Sequence, residues 1–176
     1  MLSLFWTPVV AVGCSSQTRL NAQISVSTFG ASIVPDRPRL LSVIYKANFT
    51  HELVAAKGNF ALSVLGAGQT ELLHSLGFTS GREHDKLAGL DITLTSRGNP
   101  VFAGGPGWLE CEVIGAFDLG DATAFLGAVV DSERTGEGAP MLWSEARREL
   151  PAAWLEEWEQ KIGRDIERSR REMRWL

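Results

Sequence analysis

Cysteine is nearly absent. Cys14 and Cys111 are the only two in 176 residues, each inside an apolar run, and no C-x-x-C pair exists. This rules against a disulfide framework and a zinc ribbon, and leaves two small buried hydrophobes of the kind a reducing cytoplasm keeps as thiols. The three histidines, His51, His74 and His84, form no H-E-x-x-H and stand at no ligand spacing with the cysteines, so no metal site is expected. A P-loop, a G-x-G-x-x-G and a G-x-S-x-G are also missing. No nucleophile is paired with a base and no catalytic side chain stands out, so if the chain is an enzyme its hard chemistry comes from a cofactor. No apolar run nears the ~18 residues of a membrane helix. The opening MLSLFWTPVVAVGC lacks a basic n-region and is broken by Pro8, so it reads as a lead-in followed by a strand rather than a signal peptide. Positive charge is not in excess: 17 Lys+Arg face 21 Asp+Glu, for a net charge of -4. Residues 1–143 hold 9 basic and 13 acidic residues and residues 144–176 hold 8 of each. A body with that balance is not built for nucleic acid, and the tail arginines, each near an acid, read as a solvated helix face.

What the chain does contain is a series of short strand-like segments, with 44% apolar residues, enough for one sizeable core. Residues 8–15 (PVVAVGCS) are continuously apolar, which predicts a buried strand. Residues 16–20 turn. Residues 22–30 alternate, with Ile24, Val26 and Thr28 against Gln23, Ser25 and Ser27. That predicts one half-buried strand whose polar face looks at solvent or a ligand. Pro35 and Pro38 fence a turn, after which 39–46 and 59–65 read as strands. Between them a polar corner at 46–50 opens a short helix over 50–57, with Thr50 as candidate N-cap and Gly58 closing it. A second helix is predicted over 69–76 on Leu72, Leu73 and Leu76. Gly81, Arg82, His84, Asp85 and Lys86 crowd a polar loop at 79–86. Residues 92–96 form a brief strand and 97–107 a Gly- and Pro-rich loop. Residues 108–117 and 122–132 form a hairpin-like pair. About seven strands at short spacing argue for an antiparallel barrel or sandwich, since a parallel sheet needs longer crossovers.

The character changes near residue 143. Residues 1–143 read as the β-rich domain and 144–176 as a helical extension of it. Ser144 is placed to cap a short helix, and Pro151 suits a first helical position. Trp154, Leu155, Trp158, Ile162 and Ile166 then recur at helical spacing, with Met173 beyond. Glu157–Lys161 and Glu167–Arg171 stand i,i+4 in the favourable order. From Pro151 to Trp175 such a helix runs about 35 Å. Its tryptophan stripe packs either across its own barrel or on a second subunit, and the sequence leaves both open.

Residues 21–65 carry the clearest functional signal. A strand that feeds a helix N-terminus leaves backbone N–H groups free at the corner, and such a corner attracts phosphate. Lys46 adds positive charge there, and the N–H groups after Thr50 add donors. The ordinary alternatives are a solvated strand end for Lys46 and a plain cap for Thr50.

An ordered set of features joins this corner to the rest of the chain. Asn21 opens a strand containing Ser25 and Ser27, and a proline turn at 35–38 precedes the apolar strand at 39–44. Asn48-Phe49-Thr50 then leads into a helix and a Gly-x-Phe strand, Gly58-Asn59-Phe60. Gln69 and Leu73 lie on the next helix, followed by Phe78 and Asp85-Lys86. Later come Leu109-Glu110-Cys111, a Gly120-Asp121 turn and Leu126-Gly127-Ala128-Val129. This set, over roughly residues 8–131, resembles the flavin reductase-like family. The resemblance implies a mainly β fold: an antiparallel, six- to seven-stranded Greek-key split β-barrel with short helices, here with a long C-terminal helix. It implies FMN as cofactor, with FAD also accepted, and NAD(P)H as co-substrate. It also implies a homodimer; with the cysteine, apolar-run and charge readings above, a cytoplasmic protein with no membrane or nucleic-acid partner is expected. The flavin-facing strand maps to Asn21, Gln23, Ile24, Ser25 and Val26. The phosphate corner maps to Lys46, Asn48, Phe49 and Thr50, and Lys86 closes the 78–86 loop, which would lie near the ribityl chain or the nicotinamide entry. Two positions depart from the family pattern: Ala122 stands where many reductases have His after the Gly-Asp turn, and Ile24 where many have Thr. The activity implied is NAD(P)H-dependent flavin reduction. A flavin-binding electron carrier, or a non-catalytic fold relative serving as an interaction module, is the alternative.

Overall fold

The computed structural model describes residues 6–173. Among the described residues nine strands and four helices follow one another. They are β1 (Val10–Ser15), β2 (Leu20–Ser25), β3 (Thr28–Gly30), β4 (Arg39–Tyr45), α1 (Phe49–Lys57), β5 (Asn59–Val64) and α2 (Thr70–Gly77). Then come β6 (Thr93–Leu94), β7 (Pro100–Val101), β8 (Gly107–Asp118), β9 (Ala122–Arg134), α3 (Trp143–Glu149) and α4 (Ala152–Glu172). Seven strands form one sheet in the order β2-β1-β5-β8-β9-β4-β3, and β6 pairs with β7. Every pairing is antiparallel.

The sheet is mainly β, curled, and consistent with the expected split barrel. Its two edge strands, β2 and β3, are consecutive in sequence, with only Val26 and Ser27 between them. The 22–30 segment is therefore not one strand but two. Thr7 N–H donates to the Val26 carbonyl at 2.8 Å and Val43 N–H to the Ser27 carbonyl at 2.9 Å, so the chain leaves one sheet edge and joins the other at this bend. Register shifts between β8 and β9, at Glu110/Cys111 and Val113/Gly115, add the local twist that curling requires.

The continuous apolar run of β1 is explained by two cores, one on each of its faces. Val12 and Cys14 face Ile44, Val54, Phe60 and Phe125 inside the barrel. Val9 and Ala11 face an outer layer of Leu73, Leu76 and Trp143 carried by α2 and α3. Burying each of the larger side chains is favourable by about 1.5–3 kcal/mol. Gly13 is needed where β1 meets β7, because a Cβ there would sit 2.0 Å from the Pro100 carbonyl oxygen. Cys14 and Cys111 are unpaired and buried. Burial pushes their thiols up, to about 11 and about 12, so they are inert packing groups.

The ends of several helices differ from expectation. In α1 the N-cap is Asn48, not Thr50, and it makes no side-chain cap bond; Thr50 is the second residue of the helix, and its hydroxyl accepts from Asn21. Gly58 does close the helix, in the left-handed region at φ 74°. Leu142, not Ser144, precedes α3, and Gly77 is the last residue of α2. In α4 neither expected i,i+4 pair forms. Glu157 is drawn off to His74 at 2.8 Å, Lys161 pairs with Asp165 at 2.5 Å, and Glu167 pairs with Arg170 at 2.7 Å. The helix lies on its own barrel. Trp154, Leu155 and Trp158 pack against the outer core, and His74 stacks on Trp154 with centroids 4.0 Å apart. No residue of α4 is fully buried, so it is held along one stripe only. The remainder of the expected helix, including Trp175, lies outside the described residues, as do residues 1–5 of the lead-in.

Candidate functional site

Strand β2 is the common wall of two adjoining cavities. The first, of about 440 Å³, is polar and lies between the 46–50 corner, the loop after α2 and the second half of α4. The second, of about 130 Å³, is mostly apolar, and Trp6, Tyr45, Leu73, Trp158 and Ile162 contribute to its walls. Gln23, Ile24, Asn48, Gly77 and Phe78 border both. The pair therefore forms one amphipathic cleft, cationic at one end and apolar at the other. The larger space is of the size usual for small-molecule sites.

Asn21, Phe49, Thr50 and Lys86 line the polar cavity, together with Gln23, Ile24 and Asn48. Ser25 and Val26 line the apolar one. Nine of the ten positions singled out in the sequence thus border the cleft. The tenth, Lys46, lines neither cavity, and its ammonium donates to Asp118 at 2.7 Å. Asn21 Nδ2 donates to Thr50 Oγ1 at 2.7 Å, tying the flavin-strand candidate to the phosphate-corner candidate. Gly81 presses on the same pair, because a Cβ there would lie 2.0 Å from Asn21 Oδ1. Gln23 Oε1 is buried with no hydrogen-bond partner. An orphan acceptor on the shared wall is costly unless a ligand donates to it.

The cationic end was only partly legible in the sequence. Arg82 Nη1 donates to the Ala47 carbonyl at 2.7 Å, and its other terminal nitrogen pairs with Glu52. The Phe49 ring has a guanidinium on it from Arg19 at 4.9 Å and another from Arg82 at 5.7 Å. Lys86 Nζ donates to the Leu76 carbonyl at 2.7 Å, and among the described residues no carboxylate is bonded to it. Burial, and secondarily the charge of Lys161, pushes its ammonium down to about 7. Sequence reasoning missed Arg82, Lys161, Arg164 and Arg168, which complete the wall, and Arg19, which lines neither cavity but lies over Phe49. The crowding of charge at 79–86 was visible, but its partner at residue 47 was not. Lys161, Arg164 and Arg168 stand at helical spacing, a signal read as a solvated face.

One further polar pair lies apart from the cleft. His51 Nε2 is 2.8 Å from Thr123 Oγ1, and burial, followed by the charge of Lys46, lowers its pKa. Among the described residues no group of three or more His, Cys, Asp and Glu side chains is placed to hold a metal ion. No described helix is long and apolar enough to cross a membrane.

Comparison with known proteins gives a consistent picture. Residues 2–150 match the model of the flavin reductase like domain. The chain is 34% identical over 128 residues to a high molecular weight rubredoxin of Moorella thermoacetica, covering 72% of this chain and 55% of that protein. It is 30% identical over 146 residues to an NADH-dependent FAD reductase of Streptomyces globisporus, covering 79% of this chain and 75% of that one. The chain thus spans little more than half of the first of these relatives. Among solved structures, an FMN-binding protein from Thermus thermophilus is similar at a TM-score of 0.69 and 29% identity, over 77% of this chain and 78% of that one. An NADH:FAD oxidoreductase from Streptomyces globisporus is similar at a TM-score of 0.67 and 29% identity, over 74% and 76% of the two chains.

Proposed function

The chain belongs to the flavin reductase-like family, and from that premise we propose that it binds a flavin nucleotide and acts as an NAD(P)H-dependent flavin reductase. FMN is the preferred flavin and FAD is accepted. One observation carries the proposal: β2 walls a cleft that is apolar at one end and cationic at the other, as a flavin nucleotide is amphipathic. The residues suit the group. Gln23 Oε1 lacks a donor, which a ring N–H or ribityl hydroxyl supplies. Lys86 lacks an anion, and the first turn of α1, capped by Asn48 without a side-chain bond, offers N–H groups to a phosphate.

A bound flavin supplies the ring that takes hydride from nicotinamide, so the chain needs no acid or base of its own. Its work is positioning. Asn21 and Thr50 fix each other, Ser25 and Val26 form the bed of the apolar end, and Phe49 is pinned between Arg19 and Arg82. In this reading Lys46 acts at a distance, since its ion pair with Asp118 already occupies it.

A second reading, a flavin-bearing electron carrier without nicotinamide activity, is favoured by Ala122. It is buried opposite Tyr45 and offers no polar group where many family reductases have His. The relatives support NADH as the donor, through the Streptomyces reductase named as NADH-dependent. We place the chain in the cytoplasm, where two buried unpaired cysteines stay reduced, and as a homodimer joined through its exposed apolar residues.

The test is direct. Flavin fluorescence titration should show FMN binding at low micromolar concentration, and added NADH or NADPH should be consumed in the presence of FMN. Binding without consumption selects the carrier. No binding of FMN or FAD at high micromolar concentration removes both readings.

A further inference from the structure

Helix α4 lies beyond residue 150, where the match to the family domain ends, yet it forms one wall of the polar cavity. Its inward stripe is graded. Trp158 and Ile162 border the apolar cavity, whereas Arg164 and Arg168 border the polar one, and Lys161 borders both. Spacings of three and four residues place Lys161, Arg164 and Arg168 on one face of the helix. The usual service of basic residues to a helix C-terminus is already performed by Arg170 and Arg171 in the last turn. The other three turn to the cavity.

The charges there do not balance. Arg168 Nη1 reaches the Ala47 carbonyl at 3.3 Å, the same oxygen that takes Arg82 Nη1 at 2.7 Å. Two guanidinium groups from different elements thus converge on one atom, one residue before the cap of α1. Each also meets a carboxylate, Glu52 for Arg82 and Glu172 for Arg168 at 3.5 Å. The cavity wall itself offers only Glu83 and Asp165, and Asp165 is taken by Lys161 at 2.5 Å. Arg164 has no hydrogen bond or ion pair among the described residues. Like charges brought together in this way call for an anion between them.

We propose that Arg164 and Arg168 of α4, together with Arg82, form a clamp for the terminal phosphate of FMN. The tail helix is then part of the binding site and closes on the nucleotide. The clamp rests on the flavin reading above. A phosphomonoester carries close to two negative charges at neutral pH and accepts paired bonds from guanidinium forks. Riboflavin has the same ring and ribityl chain and no phosphate, so it senses the apolar end alone.

The experiment compares FMN and riboflavin titrations of wild type and the double variant Arg164→Ala/Arg168→Ala. Each lost charge-assisted bond should weaken FMN about 10- to 100-fold, with riboflavin changed by less than about twofold. Because neither side chain is buried, the variant should fold, and a far-UV spectrum matching wild type checks this. A second measurement needs no variant: FMN, and not riboflavin, should slow tryptic cleavage within 161–171. Equal losses for both ligands, or an unchanged FMN affinity, overturn the clamp while leaving the flavin reading intact. Cleavage that FMN leaves unchanged overturns closure of the helix. A wild-type protein that binds neither ligand removes the flavin reading and the clamp with it.

Discussion

Lys86 is the residue whose chemistry should be easiest to see. Its ammonium titrates near 7 rather than at the usual 10.5, chiefly because it is buried. A phosphate bound beside it would favour the charged form. The phosphate itself loses its second proton near pH ~6 and is constant above that. FMN affinity should therefore fall as pH rises from 7 to 9, by up to about tenfold per unit, because binding then takes up a proton. Lys86→Arg, always charged, should flatten that slope, and Lys46→Ala should leave it unchanged. Without ligand the sign is the opposite: the unfolded chain holds this proton up to pH ~10.5, so its contribution to stability rises with pH over the same window. The side-chain types of the candidate site were partly legible in the sequence, since Thr50 could be picked from its strand-to-helix corner, whereas Asn21 and Asn48 came from the family resemblance. Their pairing was not legible. Thr50 looks like a cap from its spacing, and only the fold brings Asn21 to its hydroxyl.

At the scale of elements, Asn99 is the most connected side chain fastening the β6–β7 hairpin, beside Lys57 on the Arg97 carbonyl and Ser63 under Phe102 N–H. Asn99 is fully buried; its Nδ2 donates to Asn59 Oδ1 at 2.7 Å and to Glu110 Oε1 at 2.5 Å. Its Oδ1 accepts from Ser15 N–H at 3.2 Å and from Lys57 Nζ at 2.8 Å. Glu110 is fully buried and its Oε2 already lacks a partner. Asn99→Ala would leave that carboxylate without its amide, at a cost of about 3 kcal/mol. Denaturant unfolding should show the loss, and a change below about 0.5 kcal/mol would mean that the network is slack. The strands themselves were readable, because β1 and β5 are apolar runs and β8 and β9 flank a Gly-Asp turn. The break between β2 and β3 was not, because alternation continues through the bend and only barrel closure interrupts it. Asn99 lay in a stretch read as loop, and its four partners come from distant segments.

For the whole molecule, several large apolar side chains remain exposed away from the tryptophan stripe. Ile33 is 99% exposed, and Phe29, Val34, Tyr45, Phe117 and Leu119 are all exposed as well. The tryptophan stripe, one of the reasons to expect a partner, is spent on the chain's own barrel. A homodimer seam would instead use these other residues, whose apolar area is favourable to bury. Light scattering at low micromolar concentration should give a mass near twice 19.2 kDa. Phe117→Glu combined with Ile33→Glu should yield monomers if this surface is the seam. A wild-type monomer that still binds FMN would show that one chain builds the site alone.

The joining of β2 to β3 also sets an order in time. Strand β4 has only two neighbours, β3 just before it and β9, with Tyr45 opposite Ala122 and Arg39 opposite Ala128. A chain emerging from the ribosome holds the β3–β4 hairpin long before β9 exists to cover its open side. The β8–β9 hairpin forms from near neighbours, but it must then be captured on both sides, by β5 and by β4. Such non-local closure is slow, in the millisecond-to-second range. Until it happens β4, which lends Val43 and Tyr45 to the apolar cavity, has one open side, and the cleft is completed only when α4, later still in the chain, has docked.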